Sequence, residues 1–329
     1  MQYRVDPKSG NRISALGLGC MRFPGAPGHP DAKTADAIIS RAVEQGINYL
    51  DTAYLYPGNE ACVGASLERL GLRDQVLLAT KLPHASCKCA EDFDRFFDEQ
   101  LRRLRTDHID YYLMHNITSP AQWERVVALG IEDWIACQKA AGRIRQIGFS
   151  YHGSAVDFLT MLDAYDWDFC QIQFNYMDTE HQAGLKGLEY AESKGVGIVV
   201  MEPVKGGTLA ALPSYASDPL TAADPGKSMA SWALRYVAGF DNVKVILSGM
   251  SNEEQLEDNL STFSPYVPFT DHEKVALDAA ITALKARPNN GCTGCKYCLP
   301  CASGVEIPRV FRVWNDFQRY QNEDAAAAD

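Results

Sequence analysis

The sequence has no run of about eighteen apolar residues, so no segment of it could cross a bilayer as a helix. Its first residues, Met1-Gln2-Tyr3-Arg4-Val5-Asp6-Pro7, lack the basic stretch and apolar core of a secretion signal. The expectation is a cytoplasmic protein without a membrane partner. Cationic stretches are scarce as well. Lys and Arg number 31 against 42 Asp and Glu, a formal net charge of −11 that would repel nucleic-acid phosphates, which leaves small molecules and proteins as partners. A dinucleotide fingerprint is missing too, because Gly17, Gly19 and Gly25 do not make a G-x-G-x-x-G turn opening a helix, and this argues against an open doubly wound sheet.

What is present is an alternation of short apolar runs with amphipathic stretches from about residue 13 to residue 263, the pattern of repeated βα units on a parallel sheet. Eight strands are predicted: Leu16–Cys20, Tyr49–Asp51, Val76–Lys81, Ile109–His115, Ile144–Ser150, Cys170–Asn175, Gly197–Pro203 and Val243–Ser248. Helical patterns between them include Ala35–Gln45, Asn59–Leu70, Glu91–Arg105 and Asn252–Leu260, with Gly46 and Gly71 placed as C-terminal stops. Eight such units close most naturally into a (β/α)8 TIM barrel, which needs roughly 250 residues and leaves the rest of this chain for an extension. Tyr3–Val5 and Arg12–Ser14 flank a turn and suit a β-hairpin plugging the bottom of the barrel. The predicted organisation is thus a barrel over residues 1–265 and a C-terminal helical extension over residues 266–329, with a cysteine loop at 292–301.

Chemistry in such a barrel sits at the C-terminal strand ends. There the sequence places Asp51, Lys81 and His115 on three successive strands, with Tyr56 five residues beyond Asp51. Together they suit hydride-transfer reduction of a carbonyl, which needs a proton donor beside the oxygen that becomes an alkoxide. Tyrosine can donate, but its ordinary pKa of about 10 is high for neutral pH, and each unit of lowering corresponds to about 1.36 kcal/mol. A neighbouring ammonium from Lys81 favours the phenolate, Asp51 holds that ammonium, and His115 can orient the carbonyl. Taken singly, the pair reads as a rim salt bridge, the tyrosine as a loop aromatic and the histidine as a core residue; four on successive strand ends read as a site.

Seven segments carry a family likeness: LGLGCMRF (16–23), INYLDTAYLYPGNEACVGASL (47–67), LLATKL (77–82), LRRLRTDHIDYYLMH (101–115), GRIRQIGFSYH (142–152), FCQIQFN (169–175) and SGMSNEEQLEDNL (248–260). In this order they resemble the aldo-keto reductase family over the whole barrel. The resemblance implies an NAD(P)-dependent carbonyl reductase or alcohol dehydrogenase with Tyr56 as acid/base, Lys81 and Asp51 tuning it, and His115 positioning substrate. It also implies a nicotinamide cofactor held by Gly19, Met21, Asp51, Ser150, Gln171, Met201, Pro203, Val204, Gly206, Gly249, Ser251, Gln255 and Asn259. The helix that begins near Asn252 would offer free N–H groups and a positive dipole end to the diphosphate. Two departures stand out. Met201 occupies the position where many members stack an aromatic ring on the nicotinamide. Residues 249–255 also lack the Lys or Arg that pairs the 2′-phosphate of NADPH, so NADP and NAD both stay open.

Of ten cysteines, six are scattered (Cys20, Cys62, Cys87, Cys89, Cys137, Cys170) and four form GCTGCKYCLPC through Cys292, Cys295, Cys298 and Cys301. Disulfides are not expected in a cytosolic chain. This C-x2-C-x2-C-x2-C run resembles the bacterial ferredoxin loop and predicts one 4Fe-4S cluster, with zinc as the alternative metal. The ferredoxin run has three residues before its last cysteine and shares it with a second cluster; here no second run exists, and Cys87 or Cys89 could supply a remote ligand or be ordinary loop thiols. Two functions compete: a reductase of a small-molecule carbonyl with a cluster that is redox-active or structural, and a nicotinamide-binding redox sensor or electron-transfer partner of low turnover. A redox protein partner suits either.

Overall fold

All eight apolar runs form strands in the computed structural model, which describes residues 1–328; Asp329, the last residue of the expected extension, lies outside the described residues. The strands are β1 (Leu16–Gly19), β2 (Tyr49–Asp51), β3 (Leu77–Leu82), β4 (Ile109–Ile117), β5 (Ile144–Tyr151), β6 (Phe169–Gln173), β7 (Gly197–Met201) and β8 (Val243–Ser248). Every neighbouring pair is parallel, and β8 pairs with β1, so the sheet closes into a barrel in chain order. The fold is a (β/α)8 barrel. Its interior is a packed layer of inward side chains, among them Tyr49, Ala79, Tyr111, Leu113, Phe169, Val199 and Val245, with Ile13 from the chain before β1 beneath them.

Strand ends differ from the sequence reading for local reasons. β7 stops at Met201 because Glu202 takes a left-handed φ of 57°, which breaks the extended run. β6 stops at Gln173, and the Asn175 side chain then accepts from the amides of Met177 (3.0 Å) and Asp178 (3.1 Å), so the backbone turns where the apolar pattern continues. β4 runs past His115 to Ile117, with a register shift between Met114 and Ile117 where Asn116 has φ 61°.

The hairpin pairs Tyr3 with Ser14, Arg4 with Ile13 and Val5 with Arg12. Its turn carries buried Asp6, which accepts from the Lys8 amide at 2.8 Å and from the Tyr111 hydroxyl, at the start of β4, at 2.9 Å. Side-chain caps begin several helices: Asp31 accepts from the Thr34 amide at the head of α1 (Ala32–Glu44), and Asn252 from the Gln255 amide at the head of Glu253–Phe263. None of the described helices is long and apolar enough to cross a membrane.

The chain divides into two compact units, Met1–Pro203 with Leu234–Pro268, and Val204–Ala233 with Phe269–Asp329. In the second, the helices Ser214–Ala223 and Asp271–Lys285 pack together, the latter opened by a reciprocal capping box between Thr270 and Glu273. Trp232 stacks on Phe269 with ring centroids 5.2 Å apart, and the Arg287 guanidinium lies 4.8 Å from the Tyr215 ring centre. The cysteine loop is tied to the helix Ile307–Tyr320 by Asn290, whose amide donates to Asn315 Oδ1 (2.9 Å) and whose side chain donates to the Phe311 carbonyl (3.2 Å).

The loop after β2 is held open for Tyr56 by Gly58, which has φ 71° and whose Cβ would lie 2.1 Å from the Gly28 carbonyl oxygen. Gly58→Ala is expected to destabilise the chain by more than about 1 kcal/mol in urea unfolding, since both φ and space oppose it; a change within about 0.3 kcal/mol would contradict this reading.

Candidate active site

The strand register explains why the four residues meet. Asp51 on β2 pairs with Ala79 on β3; Lys81, two residues further, lies on the same inward face and pairs with Leu113 on β4, two residues before His115. The Lys81 ammonium folds back to donate to Asp51 Oδ1 at 2.6 Å and to the Thr52 carbonyl at 2.7 Å. The second Asp51 oxygen accepts from Gln171 Nε2 on β6 at 2.9 Å. Lys81 and Asp51 are 1 % and 4 % exposed, so this is an ion pair out of water, stable only because each charge keeps its partners. Burial by itself would drive Lys81 toward neutrality, but the Asp51 carboxylate and the Tyr56 hydroxyl outweigh it and raise its pKa. It stays an ammonium.

Tyr56 is half-buried, its ring centre 5.1 Å from Lys81 Nζ and 5.8 Å from the His115 ring, edge to face at 86°. Burial raises its pKa; the Lys81 charge works against that, and Asp51 adds to it. The phenol is therefore protonated at neutral pH, the form a proton donor needs. His115 sits at the irregular point of β4, where the shifted register re-aims its side chain. Burial first, then Lys81, His84 and His152, lower its pKa to about 3, so it acts as a neutral imidazole.

His84 and His152, to which the sequence reading gave no role, join His115. Each follows its strand end, His84 two residues after β3 and His152 directly after β5; reading the residues just past each apolar run would have found them. Burial lowers both, His84 to about 4. The Nδ1 atoms of His84 and His115 are buried with no hydrogen-bond partner among the described residues. Behind β3, buried Glu60 accepts from Thr80 Oγ1 (2.6 Å) and Gln100 Nε2 (2.8 Å), and Gln100 also donates to the Lys81 carbonyl at 3.1 Å, fixing the strand that carries the lysine.

A second group of predicted residues forms one corner at the ends of β1 and β8. A Cβ on Gly19 would stand 3.4 Å from the Ser248 carbonyl, and Ser248 Oγ accepts from Asn259 at 2.7 Å. Ser251 donates its hydroxyl to the Arg22 carbonyl (3.0 Å) and its amide to Gln255 Oε1 (2.8 Å). The Gln255 amide is taken by the Asn252 cap. The amides of Ser251 and Gln255 are thus already hydrogen-bonded within the chain. The stem of the Arg22 side chain, in contrast, passes within 3.0 Å of where a Gly249 Cβ would be, so an arginine from a distant part of the sequence lies beside the corner. Met21 is exposed beside it. Ser150 Oγ accepts from the Asn116 amide at 2.7 Å, Met201 packs on the barrel core, and Pro203 follows β7. Val204 and Gly206 belong to the second unit, where Gly206 and Gly207 take φ of 65° and 103° in the turn Lys205–Ala210.

In the cysteine loop, Gly291, Gly294, Lys296 and Gly304 all have positive φ, giving a tightly turned backbone. Cys295 is lowered in pKa by the Tyr297 amide and the Thr293 hydroxyl, and Cys301 by the amides of Ser303 and Val305, the environment a thiolate ligand requires. All four are free thiols, exposed or partly so, and among the described residues no group of three or more His, Cys, Asp or Glu converges closely enough to hold a metal ion. The donor chemistry suits a thiolate-bound group, while the sulfurs are not gathered around a common point.

The family model described as "Aldo/keto reductase family" matches residues 15–282. L-galactose dehydrogenase of Arabidopsis thaliana is 27% identical over 304 residues, covering 84% of this chain and 91% of that protein. The uncharacterized oxidoreductase YrpG of Bacillus subtilis is 29% identical over 232 residues, covering 64% and 68%. The holo form of an aldo-keto reductase from Bacillus halodurans superposes with a TM-score of 0.69 at 27% identity, covering 85% of this chain and 96% of that one. An aldo-keto reductase of Klebsiella pneumoniae in complex with NADPH gives 0.68 at 22% identity, over 84% and 95%, a likeness of fold. This chain belongs to the aldo/keto reductase family of oxidoreductases.

Asp51→Asn leaves Lys81 buried without its counter-charge and is expected to destabilise the chain by about 3–5 kcal/mol in urea unfolding, with the Asp51→Asn/Lys81→Met double variant recovering a large part of the loss; additive losses would refute a coupled buried pair.

Proposed function

We propose that this chain is an NAD(P)-dependent reductase that transfers hydride between a nicotinamide and a small carbonyl or alcohol substrate at the mouth formed by Asp51, Tyr56, Lys81 and His115. The observation that carries the reading is the buried Lys81–Asp51 pair set against a protonated Tyr56. The cofactor, when bound, supplies the hydride to the carbonyl carbon. As the oxygen gains negative charge, the Tyr56 hydroxyl gives it a proton, and the phenolate left behind is stabilised by Lys81. Neutral His115 donates a hydrogen bond to the same oxygen and fixes its direction. In oxidation the phenolate takes the proton back. Gln171 and Lys81 together fill both Asp51 oxygens, so Asp51 orients Lys81 and takes no part in proton exchange.

Gly19, Met21, Ser150, Gln171, Met201, Pro203, Gly249, Ser251, Gln255 and Asn259 are the residues of the first unit that would hold the cofactor. Arg22, whose side-chain stem lies beside Gly249, would supply the cation that positions 249–255 lack and so supports NADP, whereas Glu253 and Glu254 in the first helical turn favour NAD. Neutral histidines beside a single ammonium suit an uncharged, hydroxyl-bearing carbonyl, in keeping with the relative that acts on L-galactose. Cys292, Cys295, Cys298 and Cys301 would hold one 4Fe-4S cluster, supported by their spacing and by the amides turned toward two of the sulfurs.

Tyr56→Phe is expected to lower kcat for reduction of para-nitrobenzaldehyde by about 10²- to 10⁴-fold while leaving nicotinamide binding, read by fluorescence quenching, unchanged; undiminished turnover would refute the proton-donor assignment and favour the low-turnover redox-partner reading. Anaerobically purified protein is expected to contain iron and acid-labile sulfide in equal amounts; stoichiometric zinc without sulfide would overturn the cluster.

A further inference from the structure

One buried imidazole beside the site has no task in the proton transfer. His84 stands two residues beyond β3, only 1% exposed, at the head of the short turn His84–Ser86. β3 and β4 run parallel with Leu82 beside Met114, and two residues further along the two strands come His84 and Asn116, the residue after His115. Asn116 is where the backbone of β4 turns into the left-handed region, with φ 61°, and its amide donates to Ser150 Oγ at 2.7 Å. The carbonyls of His115 and Asn116 face the His84 ring and favour an N–H there. On its other side the turn is tied down by Arg125 of the helix Pro120–Val127, whose guanidinium donates to the carbonyls of His84 and Cys87.

A histidine that served packing alone would have both ring nitrogens satisfied, because a buried polar atom without a partner costs stability that an apolar side chain of similar size avoids. Here His84 Nδ1 is buried with no hydrogen bond among the described residues, and so is His115 Nδ1. Burial and the nearby Arg125 charge lower His84 to about 4, so at neutral pH its ring is uncharged and carries a single N–H. That one donor is turned toward the backbone that carries His115. The same stretch of β4, through its shifted register, decides where the His115 ring points.

We propose that His84 is a positioning residue for the reduction: its N–H, held against the His115 and Asn116 carbonyls, fixes the irregular end of β4 and through it the direction of the His115 imidazole. It acts through His115 and not on the substrate. The inference rests on the reading of His115 as the group that orients the carbonyl. Arg125 supports the arrangement from outside by anchoring the backbone of His84 itself.

The test is steady-state reduction of para-nitrobenzaldehyde by the full-length chain, with NADH and NADPH each at saturation. His84→Leu is expected to lower kcat by about tenfold, with the nicotinamide Kd, read by fluorescence quenching, within about twofold of wild type. In a His115→Ala background, where no imidazole remains to be aimed, the same change should lower kcat by less than about twofold. His84→Asn and His84→Gln set an amide N–H near the places of Nδ1 and Nε2, and one of them is expected to recover kcat to within about threefold of wild type. Arg125→Met, a change at an exposed side chain, should give the same pattern at about threefold, and it carries the test if His84→Leu loses its near-ultraviolet circular dichroism. Equal losses with and without His115 would overturn the inference, because His84 would then act independently. So would two amide variants no better than His84→Leu, or a His84→Leu enzyme with wild-type kcat while His115→Ala is impaired; that last result removes His84 and keeps the site. His115→Ala with undiminished turnover would instead overturn the carbonyl-orienting role and this inference together.

Discussion

The site depends on one interaction: an ammonium and a carboxylate held 2.6 Å apart at the mouth of the barrel, out of water. Desolvation opposes both charges, and the arrangement persists because every strong lone pair is used. Asp51 is filled by Lys81 and Gln171, and Lys81 gives a further hydrogen bond to the Thr52 carbonyl. Three strands, β2, β3 and β6, are thereby joined through one carboxylate. The barrel makes this possible, because parallel strands in a closed sheet put residues two apart on one inward face at adjacent heights.

From that pair the remaining chemistry follows. An ammonium fixed beside the Tyr56 hydroxyl favours the phenolate that remains after proton donation, while burial keeps the phenol protonated beforehand. The same positive charge, with burial, keeps His115 neutral. A single buried cation therefore sets one neighbour up to release a proton and the other to refuse one.

Much of this was legible in the sequence, for a physical reason. Strands of a closed parallel barrel are buried on both faces, so the eight apolar runs stand out, and the polar residue ending each run is by geometry at the active face. Asp51, Lys81 and His115 were readable in that way. Tyr56, a loop aromatic without periodic signal, was readable from its place five residues after Asp51 and from the need for a proton donor beside Lys81. Arg22 was invisible because its neighbour, Gly249, lies on the far side of the barrel seam, where β8 meets β1. The occupation of the Ser251 and Gln255 amides was hidden as well: an Asn-x-x-Gln cap reads as an open helix end until its side chains are placed. Residues 204–233, taken from sequence as part of the barrel, fall in the second compact unit with the C-terminal chain. The cysteine run was plain in spacing, but spacing does not bring sulfurs together.

Lys81 is the charge that governs Tyr56. The pH dependence of kcat for aldehyde reduction, in wild type and in Lys81→Met, tests it most directly. Reduction fails at alkaline pH once the proton donor is lost, and removal of the ammonium should shift that alkaline limb upward by about one unit or more, with kcat reduced throughout. An alkaline limb at the same pH in both proteins would mean that another group donates the proton.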